Sequence, residues 1–233
     1  NPGKVLGAAL FTAPGVLGLT LGTLAALMKW TPQGICLILL LFLALFFFKA
    51  KVPLSSKQTN EEMSPLHLPE IYIILLLTAI ALRSFLWTSF QIFTQGDVWA
   101  ILFLGIGAAT GKILGAPFAD RIGWRNAAII SLMCSIPLLI IGEHYFPILA
   151  LGVAALQLST PITLTAMVSA FKKQPATASG LALGFALALG GTPSLLHLKI
   201  PYLGMITLAV SFLLITLFWF TLQRQEGYTQ IEN

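Results

Sequence analysis

An all-α, polytopic transmembrane helical bundle of eight helices is the fold class this sequence predicts, and three observations carry it. Hydrophobic residues fill 57% of the 233 positions and charged residues 9%, whereas soluble domains carry charge at about 25% of positions. Eight apolar runs approach the roughly 20 residues that a helix needs to cross a hydrocarbon core of about 30 Å, where every backbone polar group must be satisfied inside the helix. Basic residues gather at alternate ends of those runs.

In chain order the runs are Val5–Met28, Trp30–Phe48, Ile71–Phe93, Val98–Ala119, Trp124–Gly142, Pro147–Phe171, Ala176–Leu196 and Tyr202–Leu222. The second is the least regular, because Pro32 and Gly34 interrupt its start. None has the short apolar core and small-residue cleavage site of a signal peptide. With both termini cytoplasmic, Lys4, Lys49, Lys51, Lys57, Arg121, Arg125, Lys172, Lys173 and Arg224 fall inside, and only Lys29 and Lys199 fall outside. That asymmetry follows the positive-inside bias, and the opposite orientation would violate it at almost every loop. The formal net charge of +5 is therefore a topology signal. Without a continuous basic face, the chain offers no surface for nucleic acid.

Between the second and third runs, Lys49 to Glu70 is polar, holds three prolines (Pro53, Pro65 and Pro69) and carries both charge signs. It reads as a cytoplasmic linker between domains. Cys36 and Cys134 lie inside apolar runs without metal-ligand spacing and read as small core residues. His67, His144 and His197 are far apart in loops or at helix ends, so neither a metal nor another cofactor is expected. A membrane enzyme would need convergent His, Asp, Glu or Ser near one interface, and the sequence shows no such cluster.

The stretch G-K-I-L-G-A-P-F-A-D-R-I-G-W-R, Gly111 to Arg125, begins as apolar helix and ends in a tight charged turn. Its core, Gly115, Asp120, Arg121, Gly123 and Arg125, resembles the cytoplasmic loop motif of the major facilitator superfamily (MFS), with Pro117 and Trp124 at positions the family often fills differently. N-P-G-K-V-L-G-A-A-L-F-T-A-P-G-V-L-G from Asn1 resembles the fifth helix of such transporters, and Q-P-A-T-A-S-G-L-A-L-G-F-A-L-A-L-G-G from Gln174 resembles the eleventh. The resemblance implies an MFS-like fold, with residues 1–48 as two helices of the N-terminal bundle and 49–70 as the interdomain linker. Residues 71–223 become a six-helix C-terminal bundle, and 224–233 a cytoplasmic tail.

That resemblance implies a secondary transporter in the cell inner membrane, working by alternating access as a monomer. The A-P-G-V-L-G stretch from Ala13 partly resembles an exporter pattern, which favours efflux, with a drug or metabolite as cargo. A proton-coupled antiport cycle would draw its carboxylate from elsewhere, since none lies inside these runs. A non-transporting truncated paralogue acting as receptor or scaffold is the alternative. The loop motif, Gly115, Asp120, Arg121, Gly123 and Arg125, implies an inner gate, with Asp120 approaching Pro2, Gly3 and Lys4; capping of the fifth run, or pairing with Arg121 or Arg125, is the plainer account.

Arg83 is the residue that most asks for a partner. It lies about 15 Å from either end of its run at 1.5 Å per residue, too deep for easy snorkelling. Burial there costs about 3 kcal/mol unless partners or water answer it. Helical spacing puts Arg83, Trp87, Gln91 and Thr94 on one stripe, a candidate cavity wall; an Arg83 satisfied by backbone carbonyls or neighbouring hydroxyls inside the domain is the plainer account. Gln157, Ser159, Thr160 and Thr163 surround Pro161 in the sixth run, and Gln157 and Thr160 join Arg83, Trp87 and Gln91 as candidate substrate contacts; hydroxyls bonded back to their own helix are the plainer account. All eight acidic residues sit in loops or at helix ends, so an anionic small-molecule substrate is one source of the missing counter-charge. Lys112, about two turns from the end of the fourth run, reads as a snorkelling lysine. Three G-x-x-x-G stripes, Gly18/Gly22, Gly107/Gly111/Gly115 and Gly180/Gly184, predict close helix contacts.

Overall fold

The computed structural model describes residues 4–29, 31, 34, 70–171, 174–196 and 202–231. Among them are eight helices and no strand: α1 (Lys4–Leu27), α2 (Glu70–Phe93), α3 (Val98–Ile122), α4 (Trp124–Gly142), α5 (Phe146–Ala170), α6 (Pro175–Ala188), α7 (Thr192–Leu195) and α8 (Leu203–Ile231). Apart from Thr31 and Gly34, the second predicted run lies outside the described residues, as does the linker before Glu70. Among the described residues five stretches, Ile71–Phe93, Val98–Ile122, Trp124–Gly142, Phe146–Ala170 and Leu203–Leu222, are long and apolar enough to cross a membrane. The chain is a multi-pass, all-α membrane protein. Phe212, Phe220, Met205 and Leu187 are exposed on its flanks, as a surface solvated by hydrocarbon requires.

Local chemistry sets the helix ends. The Asp97 carboxylate accepts from the backbone N–H groups of Trp99 and Ala100 at 2.9 and 3.1 Å, capping α3. At the other end of α3 a single residue, Gly123, separates it from α4 at φ 86°, a conformation that a Cβ disfavours. The run predicted at Ala176–Leu196 departs from expectation. Its helix stops at Ala188, a turn follows, and α7 resumes for four residues. Gly190, Gly191 and Pro193 explain the break: proline supplies no N–H and its ring clashes with the carbonyl four residues before it. Cys134 also departs from expectation, since it is exposed on α4, while Ser131, Leu132, Ser135 and Leu139 make the buried stripe.

At the centre lies α5, which touches α1, α2, α3, α4 and α6. Some 72% of its span is buried, against 44% or less in each of the other four. It lies closest to α3, and glycine is the reason. A Cβ on Gly107, Gly111 or Gly115 would sit 2.2, 2.2 or 2.4 Å from the carbonyl oxygens of Ala150, Ala154 and Leu158. The two helices therefore run parallel in a fixed register, backbone against backbone. By contrast, nothing lies within 4 Å of a Cβ on Gly18, Gly22, Gly180 or Gly184. α8 completes the bundle against α4 and α2.

Gly111→Ala should cost about 1–3 kcal/mol by forcing α3 from α5, whereas Gly184→Ala should leave stability unchanged or raise it. Reversible unfolding in mixed detergent micelles measures both, and equal effects would contradict the register described.

Candidate functional site

Arg83 projects from the middle of α2 into the packing with 7% of its surface exposed. Its Nη1 donates to the Thr160 hydroxyl of α5, and that hydroxyl donates onward to Gln157 Oε1 at 2.6 Å. The sequence explains why α5 offers this acceptor. Ser159, Thr163 and Thr165 spend their hydroxyls on carbonyls of their own helix, whereas Thr160, three residues after Gln157, turns to the glutamine side chain. Pro161 lacks the N–H that would bond the Gln157 carbonyl, so the helix is opened at the same level. The Arg83 Nε is buried without a hydrogen-bond partner.

Beside this relay, Ser84 Oγ donates to the Ala186 carbonyl at 2.8 Å, near the last turn of α6. A Cβ on Gly190 would lie 2.3 Å from Ser84 Cβ, so α2 seats itself in the break between α6 and α7. Lys112 reaches sideways from α3, and its Nζ donates to the Thr12 carbonyl of α1 at 3.1 Å. Neither contact was legible in the sequence: the Gly190–Pro193 cluster marks the break without naming its neighbour, and Lys112 reads as a snorkelling side chain.

Of the stripe Arg83, Trp87, Gln91 and Thr94, the outer half meets a cavity. A hollow of about 170 Å³ opens between α1, α2, α3 and α7, lined by Thr88, Gln91, Thr94, Gln95, Leu19 and Ser194, with apolar neighbours. Thr88 and Thr94 bond back to their own helix, which leaves the Gln91 and Gln95 amides as the long polar side chains of its wall. The hollow starts at Thr88, about 7.5 Å along α2 from Arg83 at 1.5 Å per residue. Trp87 is half-buried and outside that lining; Arg83, Thr160 and Gln157 form the enclosed centre.

The turn after α3 separates the loop-motif residues. Gly115 is part of the α5 contact, Gly123 makes the turn, and Asp120 and Arg121 are exposed. α4 begins without a side-chain cap, so Asp120 does not cap it. The Arg125 guanidinium lies over the Trp219 ring at 5.2 Å, fastening the start of α4 to α8 through a cation–π contact. Pro2, Gly3 and the Lys4 side chain lie outside the described residues. α1 and α3 run antiparallel, with Thr20 against Gly105 and Thr12 against Lys112. Continued along this antiparallel pair, the same register brings Asp120 level with the first turn of α1.

Residues of this chain align with a known protein. The uncharacterized MFS-type transporter YfnC of Bacillus subtilis (strain 168) is 37% identical over 101 residues, covering 41% of this chain and 24% of that protein. The chain resembles part of an MFS-type transporter. This agrees with the likeness read from the Gly115–Arg125 motif, and the match spans about a quarter of its relative's length. No family model matches the chain, and no solved structure matches it.

Replacing Thr160 by Val removes the acceptor of a buried guanidinium and should cost about 1.5–3 kcal/mol. Thr163→Val, which loses bonds within α5 alone, should cost less than about 1 kcal/mol. Unfolding midpoints of the two variants check this ordering, and a reversed order would mean that Arg83 does not depend on Thr160.

Proposed function

We propose that this chain forms part of a secondary active transporter that moves a small solute across the cell inner membrane by alternating access. The observation that carries the reading is Arg83, a cation in the middle of an apolar span whose acceptor among the described residues is one hydroxyl of the adjoining helix. Such residues in membrane helices mark solute pathways, because burial is costly unless function retains the group. The likeness to an MFS-type transporter and the one-residue turn at Gly123, just after Asp120 and Arg121, support the same reading. Two helix sets rocking about a midplane site make the cycle: α1 belongs to one set, and α2 to α8 to the other, with both termini cytoplasmic.

Arg83, Thr160 and Gln157 bind the solute in this scheme. Trp87 and Gln91 complete the solute contacts, Gln91 from the wall of the hollow. Asp120 holds the cytoplasmic gate against the start of α1. Efflux is the direction favoured by the A-P-G-V-L-G stretch at Ala13, and proton coupling belongs to the proposal through the family likeness alone. The working unit is a monomer.

Solute flux should be measured in proteoliposomes against a panel of small organic acids and their neutral amides. Arg83→Ala should abolish flux while the helical content and the monodisperse profile of the protein persist. Undiminished flux in that variant would remove Arg83 from the pathway.

A further inference from the structure

The Arg83 relay is not the only cation held in the interior by neutral groups. Lys112 lies about 12 Å along α3 from Asp120, the nearest acidic residue of its own helix, at 1.5 Å per residue. Its ammonium has three N–H donors, and its hydrogen-bond partner among the described residues is a backbone carbonyl, that of Thr12. Arg83 similarly has the Thr160 hydroxyl and an unpartnered Nε. The glycine register relates the two. Gly111 faces Ala154 and Gly115 faces Leu158 on the parallel helix α5, so Lys112 is level with Ala155, and Thr160 sits about 7.5 Å further along.

Arg83 is bonded at the Thr160 level and Lys112 lies about a turn and a half before it along the bundle axis, Arg presenting a planar fork and Lys a mobile point charge. In a low-dielectric interior two unneutralised cations favour an anion between them far more strongly than either would in water. Asp97, Asp120 and Glu143 all lie at helix ends, so none of these carboxylates occupies that level.

We propose that Lys112 and Arg83 form a two-cation site for a small organic anion, and that the anion binds by taking the Lys112 ammonium from the Thr12 carbonyl. This deepens the transport reading and rests on it for the route by which the anion arrives. It also assigns the Lys112–Thr12 bond a role beyond packing. Because Thr12 is on α1 and Lys112 on α3, the exchange removes a polar tether between the two helix sets at the moment the site fills. The substrate class is then a carboxylate, phosphate or phosphonate, and a neutral isostere lacks the charge that makes the exchange favourable.

The test uses iodide, a small anion that quenches indole fluorescence, with neutral acrylamide as the control. The full chain is placed in lipid nanodiscs, and the contribution of Trp87, one helical turn from Arg83, is taken as the difference from Trp87→Phe. Iodide should quench Trp87, and Lys112→Met should raise the concentration needed by about tenfold or more, the factor expected for losing a charged partner. Lys112→Arg should stay within about threefold of the parent, and acrylamide should not distinguish the variants. Lys112→Gln keeps an N–H donor for Thr12 but removes the charge, so it should lose iodide like Lys112→Met while retaining the parent's thermal midpoint.

Iodide quenching unchanged in Lys112→Gln would overturn the proposal, as would a lowered midpoint in Lys112→Met without any change in quenching, the mark of a tether alone. Charge-dependent quenching in a protein that carries no solute in the flux assay would support the two-cation site and remove the transporter reading. Flux of organic acids that ignores Lys112→Gln would do the reverse.

Discussion

Three glycines one turn apart let α3 lie backbone to backbone on α5, and the remaining geometry depends on that contact. A side chain at Gly107, Gly111 or Gly115 would collide with a carbonyl oxygen of Ala150, Ala154 or Leu158. The contact therefore fixes distance and register together. Without it, Lys112 would have no defined level relative to Thr160, and α1, which packs on both α3 and α5, would have no defined groove. Lipid tails are as apolar as leucine, so membrane helices gain little from hydrophobic association and rely on such close fits.

That rigidity holds two cations in place where lipid would otherwise expel them. A guanidinium in mid-span costs about 2.5–3.5 kcal/mol on insertion scales, and one hydrogen bond between a charged group and a hydroxyl returns about 1.5–3 kcal/mol. The Thr160 bond thus offsets most of the cost without neutralising the charge. A protein that needed only stability could place leucine at residue 83. Keeping arginine there, bonded to an oxygen that is itself bonded to Gln157, preserves a positive potential inside the bundle, which is the property an anion would recognise.

Most helix boundaries could be read from the chain because chemistry marks them. Asp97 caps α3, and Gly123 and Gly142 bracket α4, so Trp124–Gly142 agrees with the structure at both ends. The break after Ala188 was hidden by composition: leucines continue on both sides of Gly190–Pro193, and average hydropathy does not register a lost backbone bond. Spacing also treated three G-x-x-x-G stripes alike, although only the one on α3 meets a neighbour among the described residues. A small face is visible in sequence; what rests on it is not. The same limit applies to the candidate site. The depth of Arg83 follows from counting residues, but its choice of Thr160, and the reach of Lys112 to Thr12, depend on which helices become neighbours.

Arg83 and its neighbour Ser84 face different elements, and this ties the site to the broken helix. Arg83 bonds α5 through Thr160, while Ser84 bonds the Ala186 carbonyl of α6 and packs against Gly190 beyond its end. A continuous helix in place of α6 and α7 would carry residue 190 in regular α geometry; the break instead brings a glycine backbone onto Ser84. Helix interruptions in membrane proteins are tolerated where neighbouring groups satisfy or cover the freed backbone, and here α2 provides that cover one residue from the buried cation. Ser84 thus touches both the end of α6 and the turn that follows it, one residue from Arg83. The hollow between α2 and α7 and the enclosed relay beside α5 are therefore two sides of one wall, joined by the residues at 83 and 84.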